Sequence, residues 1–308
     1  MAKARVPYYK QNRLKQLRAF CQVVKTGSIT EAAELLFLSQ PTITLQIQAL
    51  ERELNVTLFE RSGPKITMTP PGEILYEISQ PLLEGIEKLP ETLMAKMGSL
   101  EYGELDVAAG EATILYILPE VTKEYAQSFP GINLRLHNET GRDGMALLRN
   151  NDVDLIIGSL IEVPDDVIYE PVVSFDPMVI MPIGHPLEEK TKLTLKDISK
   201  YGLILPPKHL STWRHVDFVF DKNNLKYNVT LEAGGWEVIK KYVELGLGIS
   251  ITTDVCLTDD DRLVKRPMNK YFPPRSYGII TRRGKFLSPA AKKYIELMKL
   301  HYTGDDKK

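Results

Sequence analysis

The stretch "SQPTITLQIQALERELN", Ser39 to Asn55, decides how the first part of the chain folds. Ile43, Ile47, Leu50 and Leu54 recur at i, i+4, i+7 and i+11, which gathers them into one stripe at the 3.6-residue helical period. That stripe predicts a core face. Ser39 supplies an N-cap, and Pro41 suits the first turn, where a missing N–H costs nothing and the fixed φ is already helical. The opposite side carries Thr42, Thr44, Leu45, Gln48 and Arg52, with Gln40 and Gln46 at its flanks, and lacks the Glu/Lys pairs of a solvated helix. A helix face so poor in charge is suited to touch something other than water.

Upstream, Leu14 to Lys25 reads as a first helix, and "TGS" gives a turn in which Ser28 caps a second helix, Ile29 to Leu36. Ala32 and Ala33 leave room for a close crossing, and "FLS" is a three-residue connection into the helix quoted above. This is the helix-turn-helix pattern, although a helical hairpin with no nucleic-acid role shares it. Charge separates the two readings. Residues 1 to 70 hold ten Lys/Arg against five Glu, whereas the rest of the chain holds 29 basic and 35 acidic residues. A basic first part on a mildly acidic body points to a polyanion met by that part alone. Downstream, "VTLFERSGPKITMTPPG" reads as a β-hairpin wing, with Arg61 and Lys65 flanking a turn at Gly63 and Pro64.

From Gly72 to Met97, Leu75, Ile78, Leu82, Ile86, Leu89, Leu93 and Met97 keep helical spacing with nothing local to bury them, the pattern of a helix that pairs with its own copy. Pro81 and Pro90 predict a kinked or divided helix. Past "GSLEYGE" the pattern changes to "LDVAAG", a helix around Ile117 to Ser128, "INLRLH", a helix around Asp143 to Asn150, and "VDLIIGS", which predicts a mostly parallel sheet covered on both faces. Two runs follow near "VVSFDPMVIMPIGHP", then "YGLILPP", "NVTLEAGG", the helix "WEVIKKYVELG" and "ISITT". "SYGIITRR" and a last helix, Pro289 to Leu300, close the chain. Two α/β lobes joined by extended crossings, with a cleft between them, fit this order.

The 308 residues, 43% hydrophobic and 26% charged, suit a globular chain with two or three cores. No apolar run reaches the roughly 18 residues of a membrane span, and the basic leader has no apolar segment behind it, so the expected location is the cytoplasm and no membrane partner is expected. Cys21 and Cys256 read as reduced thiols used as small hydrophobes. HExxH, GxSxG, GxxxxGK and paired CxxC motifs do not occur, and His209 and His215 stand six apart, off the i, i+4 metal spacing. "GLG", Gly246 to Gly248, lies between a helix and a strand, the reverse of a dinucleotide fingerprint, and reads as a C-cap. The expectation is therefore no catalytic residue, no metal and no cofactor.

Read together, "TGSITEAAELLFLSQPTITLQIQALERELNVTLFERSGPKITMTPPG" resembles the DNA-binding segment of LysR-type transcriptional regulators, with "LSQP", "QIxxLE", "LF-R" and "T-PG" in order and at the right spacing over residues 14 to 72. Within that family, "VIKKYVELGLGISI" and "RRGKFLSPAAKKYIELM" are most similar to the branch governing cysteine and sulfur assimilation. The resemblance implies an α+β winged helix-turn-helix domain over 1–71, a dimerising linker helix over 72–99, and a two-lobed α/β periplasmic-binding-protein-like effector domain over 100–308. Lobe I would take about 100–171 and 273–305, and lobe II about 172–272.

By matching positions, Ser39, Gln40, Pro41, Thr42, Thr44, Leu45, Gln48 and Arg52 would meet bases and phosphates in the major groove of promoter DNA, with Arg61 and Lys65 on phosphates. Gln pairs bidentately with adenine, and Thr methyls or Leu45 meet the thymine methyl, which suits an A·T-containing half-site. Where the family commonly has basic residues this chain has Leu45, Gln48 and Ala49, so phosphate affinity falls to Arg61, Lys65, Lys10 and Arg13. The effector positions are Gly110, Glu111, Thr113, Thr140, Arg142, His209, Ser211, Thr212, Gly235 and Trp236. Thr113, Thr140, Ser211 and Thr212 would bond an oxyanion, but Glu111 is an acid where a sulfate-like ligand wants none, and a zwitterion or amine satisfies both Glu111 and Arg142. Glu111 and Arg142 as plain surface charges, and Trp236 as core rather than a stacking platform, remain the alternatives. The resemblance further implies a homodimer or homotetramer, RNA polymerase as a partner, and an effector, anionic or zwitterionic, that changes DNA bending. A ligand-independent regulator controlled by oligomerisation or a protein partner fits the same sequence.

Overall fold

Burial of the predicted stripe organises the first unit of the chain. A computed structural model describes residues 12–62, 65–97, 102–139 and 141–303, the side chains of 61, 62 and 65 excepted. Helices α1 (Arg13–Thr26), α2 (Ile29–Leu35) and α3 (Gln40–Leu54) pack Ala19, Val23, Ala32, Ala33, Ile43 and Ile47 into one cluster. Phe20, Cys21, Leu50, Leu58 and Leu83 form a second beneath it. Leu54 departs from the expected core face: it is the last residue of α3, exposed, and Asn55 turns the chain away in the left-handed conformation at φ 55. The expected caps form, since Ser28 Oγ accepts from the Glu31 N–H and Ser39 Oγ from that of Thr42.

The wing is an antiparallel pair, β1 (Phe59–Ser62) and β2 (Lys65–Met68), whose last register pair is Ser62 with Lys65; its turn at Gly63 and Pro64 lies outside the described residues. The Glu51 carboxylate accepts from the Leu58 N–H at 2.8 Å and so ties the end of α3 to the start of the wing. Thr69 caps α4 (Pro70–Glu87) at Gly72, and a Cβ at Gly72 would stand 2.3 Å from the Leu58 carbonyl oxygen. Only glycine lets the helix begin so close to that carbonyl, which is the physical content of the "T-PG" signature.

The chain after the wing divides at Lys88 into α4 and α5 (Leu89–Lys96), with Pro90 in the first turn of α5. Pro81 does not break the helix and is accommodated inside α4. Leu75 turns inward toward Phe20 and Leu83, so the exposed stripe begins at Ile74 and continues through Ile78, Leu82, Ile86, Leu89, Leu93 and Met97.

A second unit begins after Met97, the stretch Gly284–Phe286 grouping with the first. Its larger sheet runs β4 (Ile132–Asn138), β3 (Gly103–Ala109), β5 (Leu155–Gly158), β12 (Arg275–Arg282), β6 (Val167–Phe175). The expected parallel pairing holds for β3 with β4 and β5, but β12 runs antiparallel to both β5 and β6, because it arrives from the second lobe and enters at the opposite end. Helices α6 (Pro119–Ser128), α7 (Gly141–Asn150) and α11 (Pro289–Thr303) cover it. Helix α6 begins at Pro119 rather than Ile117, since Thr113–Ile117 is wound as a π-turn. Tyr125 of α6 and Tyr294 of α11 are fully buried edge to face at 5.2 Å.

Lobe II centres on β7 (Pro177–Pro182), which pairs antiparallel with β10 (Ser250–Thr253) and with β11 (Leu263–Pro267), a strand the sequence pattern did not reveal. Parallel strands β8 (Gly202–Leu205) and β9 (Asn228–Glu232) join it through a bridge from Leu203 to Ile249. Helices α8 (Leu195–Ile198), α9 (Ser211–Lys222) and α10 (Trp236–Glu244) complete the lobe, and Gly246, at φ 78, ends α10 as the expected C-cap. The chain crosses between lobes at Asp176 and again just before Arg275; the first crossing falls later than residue 171 because β6 stays paired with β12 as far as Phe175.

Candidate DNA-binding face and effector cleft

On α3 the buried side and the outward side follow the sequence pattern closely. Ile43, Ile47 and Leu50 face the core, while Ser39, Gln40, Pro41, Leu45, Gln48 and Arg52 are exposed and Thr42 and Thr44 half-exposed. Ser39 and Thr42 share a hydroxyl contact of 2.8 Å that fixes the first turn, and Arg52 Nε donates to the Gln48 carbonyl at 3.2 Å. Gln40, Leu45 and Gln48 are left as the groups able to reach outward, a set suited to base edges and thymine methyls rather than to phosphates. The Arg61 and Lys65 side chains lie outside the described residues, although their backbones place both at the tip end of the hairpin.

The effector positions divide in a less expected way. A small cavity of about 60 Å³ opens where the lobes join, lined by Thr212, His215, Trp236, Thr253, Phe272 and Arg275 among others. Thr212 and Trp236 were expected there. Ser211 reaches it through Arg275, whose guanidinium donates to the Ser211 hydroxyl and, at 2.7 Å, to Thr212 Oγ1. The same guanidinium sits 5.2 Å from the Tyr277 ring centroid. His215, not His209, lines the cavity, and His209 is exposed in the loop before α9. Arg142 is exposed at the start of α7 and does not line the cavity; Thr140 lies outside the described residues.

Gly110, Glu111 and Thr113 form the turn after β3 and do not line this cavity either. Thr113 is buried at the start of the π-turn, and Glu111 reaches toward lobe II, where its two carboxylate oxygens would each stand 2.8 Å from a Cβ on Gly235. Gly235, at φ 82, opens α10, so the acid lies against a helix N-terminus. Beside it, Tyr116 donates to Glu237, which with Asp261 holds the buried Lys240 ammonium at 2.7 and 3.0 Å. Glu111 thus belongs to a polar seam between the lobes rather than to an open anion site.

The electrostatics of the cavity run the other way. Arg275 stands against the first turn of α9, which contains no acidic residue, so a guanidinium and the positive end of a helix dipole share one place. Arg275 Nε is buried without a hydrogen-bond partner among the described residues. Burial, then Arg275 and Arg214, holds the His215 imidazole below its ordinary range, a base kept neutral by its surroundings. None of the described residues that line the cavity is acidic. Arg275 was the residue missed from the sequence; the two prolines before it, in "FPPRS", mark an extended crossing and were the available signal.

A winged helix-turn-helix joined to a two-lobed domain with such a cleft defines a DNA-binding regulator with a small-molecule-binding domain. The chain belongs to the LysR family: residues 14–73 match the bacterial regulatory helix-turn-helix protein model of that family, and residues 98–302 match the LysR substrate binding domain. It is 30% identical to the HTH-type transcriptional regulator SsuR of Burkholderia cenocepacia, over 93% of this chain and 94% of that protein. With the regulator CysB of Haemophilus influenzae it shares 29% identity over 94% and 91% of the two chains. Among solved structures, a full-length OxyR variant of Pseudomonas aeruginosa superposes with TM-score 0.67 at 23% identity, covering 93% of this chain and 94% of that one.

Proposed function

We propose that this LysR-family regulator binds an interrupted inverted repeat in promoter DNA as a homodimer or homotetramer, and that a small anion with an apolar body, bound beside Arg275, changes its hold on that DNA. The observation that carries the ligand class is the pairing of the Arg275 guanidinium with the acid-free N-terminus of α9, bordered by Trp236 and Phe272. A zwitterion meeting Glu111 and Arg142 is less favoured, because Glu111 faces the opening of α10 and Arg142 lies outside the cavity lining. We assign 1–71 to DNA binding, 72–99 to dimerisation and 100–308 to the effector. Gln40, Thr44, Leu45 and Gln48 read bases, and Arg61 and Lys65 hold phosphates.

Relatives named SsuR and CysB support the cysteine and sulfur branch, hence sulfur-containing anions as the first ligands to try. The protein acts in the cytoplasm, contacts RNA polymerase and catalyses no reaction; no helix among the described residues is long and apolar enough to cross a membrane.

Thermal unfolding of the full chain against carboxylates, sulfonates, inorganic sulfate and amino acids tests the ligand. Stabilisation by an anion, lost in Arg275→Met and kept in Arg142→Ala, is the expected result. Stabilisation lost only in Arg142→Ala would move the site to the start of α7, and no response to any compound would favour the ligand-independent regulator.

A further inference from the structure

The turn between α2 and α3 holds a conformation that its residue does not suit. Phe37 has φ 54, in the left-handed region, and is 96% exposed. Every other described residue with positive φ is glycine or asparagine. The local hydrogen bonds explain the conformation but not the side chain. The Phe37 N–H donates to the Glu34 carbonyl at 3.1 Å and that of Leu38 to Ala33 at 2.9 Å, the paired bonds of a helix C-terminus whose left-handed position glycine normally fills. A phenylalanine there adds backbone strain and leaves a whole ring in water, so folding gains nothing from it.

The position gives the ring a use. Phe37 lies two residues before Ser39, the cap of the helix that carries Gln40, Thr44, Leu45 and Gln48, so its exposed ring stands at the leading end of that helix. Leu38 and Leu45 are exposed on the same stretch, and from Leu35 to Leu50 the chain has no charged residue to repel phosphates. We propose that Phe37 is a DNA-contact residue that packs its ring on the sugar and thymine-methyl surface at the mouth of the major groove, adding A·T preference without neutralising a phosphate. The inference rests on α3 being the recognition helix.

The probe is a duplex that the full-length wild-type protein selects from a random-sequence library. Phe37→Gly relieves the strained φ while removing the ring. It is expected to raise Tm by roughly 2–5 °C, to weaken the Kd for that duplex about tenfold, and to leave the slope of log K against log salt unchanged. Phe37→Leu keeps both the strain and apolar bulk, and its Kd is expected within about threefold of wild type. An unchanged Kd in Phe37→Gly overturns the proposal. So does a lower Tm or a dimer that dissociates in sedimentation, either of which would put the ring against protein instead. A wild-type chain that selects no duplex would overturn the DNA-binding reading itself, so the two failures are distinguishable.

Discussion

Two apolar stripes of nearly the same spacing run along helices of the first unit and meet opposite fates. In α3, Ile43, Ile47 and Leu50 are buried, Leu50 completely; in α4 and α5, Ile74, Ile78, Leu82, Ile86, Leu89, Leu93 and Met97 all stand open, Leu82 at 60%. Periodicity alone cannot distinguish them. What separates them is company: α1 and α2 bring Ala19, Ala32 and Ala33 against α3, and their small side chains let the helices close, whereas the outer side of α4 stays exposed among the described residues. A row of large apolar residues this long costs stability in water, and under the proposed dimerisation a second copy of the chain would cover it.

The largest expected effect follows on the exposed side. Leu82→Glu with Leu89→Glu places carboxylates in the middle of the stripe, and a charge buried without a partner is not tolerated. Sedimentation equilibrium is expected to show the dimer weakened by at least roughly a hundredfold, with the monomer still folded by circular dichroism, since neither side chain supports its own unit. A dimer that survives would show that the stripe meets something else. On the buried side, Leu50→Ala leaves a cavity between Phe20 and Leu58 and is expected to cost about 2–5 kcal/mol in denaturant unfolding, with oligomeric state unchanged in the folded fraction. A cost under about 1 kcal/mol would mean that the site collapses to fill the space.

The same contrast explains what the sequence discloses. The cap, core stripe and outward face of α3 fall within seventeen consecutive residues, each fixed by local rules, and all but Leu54 stand where those rules put them. The strand order of the large sheet was less accessible, because β12 reverses direction only after an excursion of about a hundred residues through lobe II. The cleft was least accessible: Thr212, Trp236 and Arg275 come from different segments, and the two prolines before Arg275 mark a crossing without saying that it meets the start of α9. Phe37 hides for another reason. Aromatic residues read as core, and a left-handed φ cannot be foreseen from the residue that fits it worst.

The base reading proposed for α3 gives a test of the division between its two faces. Gln48→Ala removes the donor and acceptor best placed for adenine, and the expected result is a roughly tenfold loss of discrimination at one base pair of a selected half-site, with non-specific affinity unchanged. An equal loss on every sequence would identify Gln48 as a phosphate or stability residue instead.

The smallest expected effect is a pH dependence carried by His215. Its folded-state pKa is lowered from the ordinary 6.5, by burial first and then by Arg275 and Arg214, so below about pH 6.5 the unfolded chain takes a proton that the folded chain refuses. The His215 contribution to the stability of the ligand-free protein therefore falls as the pH drops from 6.5 toward the folded-state value, and levels off below it. His185 contributes in the same direction through its own burial, so the measurement is the difference between wild type and His215→Gln across pH 7 to 5. An anion beside Arg275 would ease protonation of His215, and by linkage that anion must bind more tightly as the pH falls through the same window. A variant that keeps the wild-type slope would show that His215 stays out of the titration. Anion binding independent of pH in the wild type would separate the ligand from the α9 end of the cleft.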